Sequence, residues 1–252
     1  MPSYREEAVV LRSWRLGEAD RIVSLVTPGH GKVRAVAKGV RKTTSRIGAR
    51  LEPPGHVTML CWHGRELDVV NQVEVLDSFR RLREDLDLMA AAMTMIEIVD
   101  QVAVERHEAA ELFRLLLGAL RALERTPSPL VLGAFCWKLL GIEGVGPLIE
   151  RCARCGDDGE LVAFDPGEGG LLCRSCRRGH PVSPDAVSLL RRVLGGGLAA
   201  ALREPPSPEM LEVERLGVAA VEHLLDRRLR TPRSLPDTGL CEPRPDRAVR
   251  SG

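Results

Sequence analysis

The chain has 252 residues, 44% hydrophobic and 28% charged, with a net charge of +1. This length and balance supply a real core for one large or two to three small domains, and exclude a disordered or fibrous chain. Aromatics are only 3% of the residues, so the core must rest on Leu, Val and Ala, which favours helices over sheet sandwiches.

The first residues, Met1 to Glu7, lead into a strand-like run without the apolar segment of a signal peptide. Later apolar stretches are broken by Arg114 and Lys138, short of the ~20 apolar residues of a spanning helix. No membrane role is expected. Four of the seven cysteines form two C-x-x-C pairs, while Cys61, Cys136 and Cys241 lie far apart. That usage fits a reducing cytoplasm better than a disulfide framework.

Residues 1–78 read as short strands. The first begins at Ala8-Val9-Val10-Leu11, turns at Gly17-Glu18-Ala19-Asp20, and is followed by a second over 21–27. Pro28-Gly29-His30-Gly31 is a strong turn signal. Residues 32–38 then alternate basic and apolar, which puts Lys32, Arg34 and Lys38 on the exposed face of a half-buried strand. Two further strands, over 56–62 and 66–75, join at His63-Gly64. Five short strands suggest a small closed barrel, most simply an OB-fold.

From Asp77 the periodicity becomes helical. Residues 85–105 and 108–125 carry it, and three later helices are announced by Ser128-Pro129, Ser183-Pro184 and Ser207-Pro208. In each pair Ser can cap free backbone N–H groups while Pro takes the first helical position. Gly141 and Gly195-Gly196-Gly197 mark the ends of the first two, and the last is expected to run to about Arg230. The fold class is therefore α+β and multidomain. The expected division is a barrel over 1–78, a helical domain over 79–149 and 181–231, an inserted knuckle over 150–180, and a disordered Pro- and Arg-rich tail over 232–252.

The knuckle holds Cys152-x2-Cys155, seventeen intervening residues, then Cys173-x2-Cys176. Two residues between cysteines let both sulfurs of a pair reach one ion, and the longer gap lets a hairpin present the second pair. One Zn2+ bound by four thiolates is expected, and it is structural, because no coordination position stays open for water. His180 is a weaker competing ligand. Redox-active pairs would call for a βαβ pattern, which is absent.

Between residues 21 and 51 stand eight basic residues, Arg21, Lys32, Arg34, Lys38, Arg41, Lys42, Arg46 and Arg50, and no acidic one. Residues 77–125 instead hold seven Lys/Arg against ten Asp/Glu. A basic barrel beside an acidic helical part suits a polyanion, because phosphate contacts release condensed counterions. Thr43, Thr44 and Ser45 add hydroxyls for phosphate oxygens. Trp62 is readable either as core or as a platform for bases. Phosphate-loop, nucleophile-elbow and zinc-protease motifs are all missing, so an enzyme is not expected. A sequence-specific regulator reading DNA through Arg174, Arg177 and Arg178 is the alternative. Six nearby acids weaken it: Glu150, Asp157, Asp158, Glu160, Asp165 and Glu168.

Taken together, Ala8-Val9-Val10-Leu11, Gly17-Glu18-Ala19-Asp20-Arg21, Thr27 with Gly31-Lys32, residues 37–42, Ser45-Arg46 and Leu51-Glu52-Pro53 resemble the RecO family of bacterial recombination mediators. The resemblance covers roughly residues 4–232, and the cysteine pairs match the family's zinc-bearing branch. It implies an OB-fold, a helical domain and a zinc module. It further implies binding of single- and double-stranded DNA, strand annealing, cooperation with RecR, recognition of single-strand-binding protein, and RecA loading at the nucleoid. By position, DNA contact falls on Lys32, Arg34, Lys38, Arg41, Lys42 and Arg46. Arg121 and Arg125 are expected near the receptor for the acidic tail of single-strand-binding protein.

Overall fold

A computed structural model describes residues 2–40 and 48–231. Five strands, β1 (Ser3–Leu16), β2 (Asp20–Thr27), β3 (Gly31–Ala37), β4 (His56–Trp62) and β5 (Asp68–Asp77), close into a barrel in the order β1-β2-β3-β5-β4. Only β3 and β5 run parallel. Alternate residues such as Val23, Leu25, Val33, Ala35, Val57 and Met59 fill the interior.

The first strand is far longer than the run at Ala8 suggests, because it pairs on both sides. Its early residues meet β4, with Ser3 opposite Trp62, and its later ones meet β2, with Trp14 opposite Ile22. In the middle the alternation disappears: Ala8, Val9, Val10 and Leu11 are all buried. Ala8 and Val10 face the barrel interior, whereas Val9 and Leu11 join the core of the helical body. Both faces of the strand are covered, and that explains the unbroken apolar run.

Helices follow: α1 (Arg80–Glu84), α2 (Leu86–Val102), α3 (Ala110–Arg125) and α4 (Pro129–Ile142). The side chain of Asp85 caps α2 by accepting from the N–H groups of Asp87 and Leu88. Helix α4 is buried nearly all round, as its uniformly apolar sequence requires. Three short strands, β6 (Leu161–Asp165), β7 (Gly170–Cys173) and β8 (His180–Pro181), form the knuckle. Then come α5 (Pro184–Arg192), a wide helical turn over Val193–Gly197 that breaks at Gly196, α6 (Leu198–Ala201) and α7 (Pro208–Leu224).

Ser128 and Ser183 cap α4 and α5 as expected, accepting from Leu130 N–H and Ala186 N–H at 3.2 Å each. Ser207 makes no cap bond to α7. Helices α4 and α7 cross closely because Gly133 lies against Glu214 and Gly217 against Trp137; a Cβ at either glycine would come within 2.9 Å of its neighbour. The indole N–H of Trp137 donates to the carbonyl of Val213 at 2.9 Å, and its ring meets Phe164 of β6 edge-on at 5.2 Å. The knuckle is thus continuous with the helical core and does not hang from it as a separate lobe.

The last helix stops at Leu224, short of the expected Arg230. The chain turns at Asp226, with φ 48°, and folds back onto α2. There the buried carboxylate of Glu97 accepts from the N–H of Arg230 at 2.9 Å and from the N–H and hydroxyl of Thr231 at 2.9 and 2.7 Å. Burial pushes the Glu97 carboxyl up, yet these bonds outweigh it and hold the group below the usual carboxylate range. Such a group stabilises the fold above its unfolded value of ~4.3, and that contribution is lost as pH falls through the lower folded value. Protection of the Arg230 and Thr231 amides against exchange should therefore fall only in acid, whereas Glu97→Gln should lower it at neutral pH as well. Equal protection in that variant at pH 7 would show that the carboxylate is not the anchor.

Candidate nucleic-acid interface and metal centre

Barrel and helical body meet at a charged seam. Asp100 of α2 is buried, 7% exposed, and pairs with Arg12 Nε at 2.6 Å and Lys32 Nζ at 3.0 Å. It also accepts from the hydroxyl of Ser24 at 3.0 Å, while Lys32 Nζ donates to its backbone carbonyl at 2.6 Å. Beside this cluster Gly31, at φ 58°, brings the β2–β3 turn against the carbonyls of Val104 and His107. No side chain fits there: a Cβ would lie 2.7 Å from Val104 O. The one acid that organises this seam was not singled out from sequence, although a carboxylate in the apolar stretch of α2 is a visible oddity.

The expected basic face is consequently divided. Lys32 is not on the open face of β3 as the alternation implies; α2 packs over that part of the strand and takes its ammonium. Arg34 and Lys38 are exposed, Arg34 pairing with Glu105 at 2.7 Å. Lys38 has no partner among the described residues. Arg21 is partly buried against Glu52 and Ser13. Arg50 is exposed and donates to Val73 O at 2.9 Å. Arg41, Lys42 and Arg46, together with Thr43, Thr44 and Ser45, lie outside the described residues. Arg121 and Arg125 sit on the exposed side of α3.

Of the nearby aromatics, Phe79 is core and Tyr4 is stacked between His30 and His63 at 4.3 and 4.6 Å, its hydroxyl donating to Asp68 at 2.6 Å. Trp62 and Trp14 are exposed at 44% and 39%. The open question over Trp62 closes against a core role.

In the knuckle, Cys152, Cys155, Cys173 and Cys176 bring their sulfurs within 4.8 Å of one another, a set that can hold one metal ion. The Cys155 and Cys173 sulfurs are 3.7 Å apart. Backbone geometry shapes the pocket: Gly156 N–H donates to Cys152 O and Cys176 N–H to Cys173 O, so each pair sits on a tight turn. Burial pushes the Cys152 thiol up, but N–H donors at Cys155, Cys173 and Arg154 outweigh it and bring it down to about 6. These donors favour the thiolate at this sulfur, the form that binds metal. His180 stands on exposed β8 and is not part of the cluster. Around it Arg174 pairs with Glu160 at 2.9 Å, and Arg178 with Asp165 at 3.0 Å and with Glu168.

A small barrel with exposed cations is thus seamed to a helical body that carries a four-thiol cluster. The family described as Recombination protein O N terminal matches residues 1–79, and Recombination protein O C terminal matches residues 83–233. The DNA repair protein RecO of Cutibacterium acnes is 41% identical over 241 residues, covering 92% of this chain and 98% of that protein. That of a Nocardioides species is 43% identical over 239 residues, covering 90% and 97%. The chain belongs to the RecO family of DNA repair proteins. Among the described residues no helix is long and apolar enough to cross a membrane.

Proposed function

We propose that this chain is a non-enzymatic recombination mediator. It binds single- and double-stranded DNA through the barrel and anneals complementary strands. With RecR it helps load RecA onto DNA covered by single-strand-binding protein. The observation that carries this reading is a pair of exposed cations, Arg34 on β3 and Lys38 in the turn that follows it, on a barrel in a DNA repair family. Phosphate contact falls on Arg34, Lys38 and Arg50, together with Arg41, Lys42 and Arg46. Arg21 and Lys32 serve the fold through Glu52 and Asp100.

Complementary oligonucleotides coated with single-strand-binding protein should anneal faster when this protein is added. No acceleration, with or without RecR, would refute the mediator reading. Replacing Arg34, Lys38 and Arg50 by Ala should weaken DNA binding alike for all sequences and flatten its salt dependence by about 0.7–0.9 per lost contact. An unchanged slope would show these cations to be idle.

The four cysteines are proposed to hold one structural zinc ion. A tetrahedral site with zinc–sulfur bonds of ~2.3 Å separates its sulfurs by about 3.8 Å, close to the 3.7 Å between Cys155 and Cys173. A closed thiolate set contributes cross-linking and no chemistry. The alternative of a sequence-reading regulator gains no support here, because Arg174, Arg177 and Arg178 lie outside any helix that could enter the major groove.

A further inference from the structure

The four thiols of the knuckle are not equally sheltered. Cys152 and Cys173 are buried in the helical core and Cys176 is half-buried, whereas Cys155 is exposed. The other cysteines among the described residues, Cys61 on β4 and Cys136 on α4, are fully buried. Oxidation of a cysteine needs two things, thiolate character and access from solvent. A sulfur that ligates a metal is held as thiolate. Cys155 combines both conditions most fully.

The fate of an oxidised Cys155 depends on which sulfur attacks it next. Cys173 Sγ lies 3.7 Å from Cys155 Sγ, and a disulfide bond of ~2.05 Å needs only a modest closure of that gap. Cys152 is the rival within the first pair, since all four sulfurs lie within 4.8 Å of one another. Its sulfur, however, is held by the backbone N–H groups of Arg154, Cys155 and Cys173. A thiolate stabilised in this way is the poorer nucleophile. Cys173 ends β7, where its backbone pairs with Leu161 of β6. A bond from Cys155 to Cys173 therefore ties the first turn to the sheet, the same two parts that a shared metal ion ties. A bond inside either C-x-x-C pair would leave them unconnected.

We infer, resting on the zinc reading above, that Cys155 is a peroxide-sensitive ligand whose oxidation exchanges the metal clasp for a Cys155–Cys173 disulfide. Hydrogen peroxide is the oxidant. The Cys155 thiolate attacks one peroxide oxygen, the O–O bond breaks and hydroxide leaves, giving a sulfenic acid. The Cys173 thiolate then attacks the Cys155 sulfur, the S–O bond breaks and a second hydroxide leaves. Two thiolates have lost two electrons and the peroxide has gained them. Cys152 and Cys176 alone cannot complete a four-thiolate site, so the zinc ion is released.

The chain is well suited to a peptide map of this bond. Trypsin cuts after Arg151, Arg154, Arg174 and Arg177, which puts Cys152 and Cys176 on separate short peptides and keeps Cys155 with Cys173 on residues 155–174. The full chain is treated with hydrogen peroxide, and its remaining thiols are alkylated in denaturant before digestion. Peptide 155–174 should then be unalkylated and lighter by two hydrogens than its reduced form, with Cys61, Cys136, Cys152 and Cys176 alkylated. A colorimetric chelator should register one zinc ion released per chain. Cys155→His leaves a Cys3His set, itself a normal zinc complement, and should keep its zinc at a peroxide concentration that empties the wild type. Cys176→His, which retains Cys155, should still lose it. If the His variants fold poorly, the wild-type map decides by itself. Cross-links from 155–174 to 152–154 or 175–177 would overturn the exchange, because the bond would then lie inside a pair. Zinc release without a disulfide would overturn it as well, as would equal protection by both His variants. A reduced chain that takes up no zinc before any peroxide is added would sink the zinc reading, and the exchange with it.

Discussion

Replacing Asp100 by Ala is expected to destabilise the protein by about 2–4 kcal/mol. The carboxylate sits between Arg12 and Lys32 and takes the hydroxyl of Ser24, so its removal leaves two cations and a buried hydroxyl facing each other. Breaking a fully buried pair costs ~3–5 kcal/mol, and the partial exposure of Arg12 lowers that figure through solvent screening. Asp100→Asn should recover part of the loss by keeping one acceptor. Denaturant unfolding measures it. A drop confined to a few tenths of a kcal/mol would mean that the apolar contacts of Val9, Leu11 and Val26 hold the seam alone.

Removing the proposed zinc ion should have the larger effect. Structural zinc contributes folding free energy outright, on a scale comparable with the ~5–15 kcal/mol that holds a domain together. Cys152 and Cys173 are buried in the same core as Trp137 and Phe164, so the damage from Cys176→Ser or a strong chelator should spread into α4 and β6. The expected outcome is lost solubility or a much lower thermal midpoint, with unchanged DNA affinity in whatever fraction stays folded. A chelated protein with an unaltered midpoint would show that the thiols need no ion. A stable, metal-free variant that had lost only DNA binding would move the knuckle from scaffold to interface.

Local chemistry made much of this visible in the sequence. The cysteine spacing located the thiol cluster, because two-residue turns and a hairpin leave the four sulfurs few places to go. The turns at Gly17 and Gly31 and the caps at Ser128 and Ser183 were readable because each depends on a few neighbouring residues. What stayed hidden depends on contacts between distant parts of the chain. Alternation put Lys32 beside Arg34 and Lys38, but only the docking of α2 decides that Lys32 turns inward. The end of α7 was missed because Glu97, more than a hundred residues earlier, draws the chain back.

The seam also bears on how the protein can be divided. The two family segments adjoin between residues 79 and 83, which invites cutting the chain there. A barrel freed at that point would present Val9, Leu11 and Val26 to water and carry Arg12 and Lys32 without their counter-charge. The remaining body would keep Asp100 with nothing to neutralise it. Neither half is a self-sufficient module, and fragment studies that find weak or aggregating pieces would be measuring the wound and not the parts.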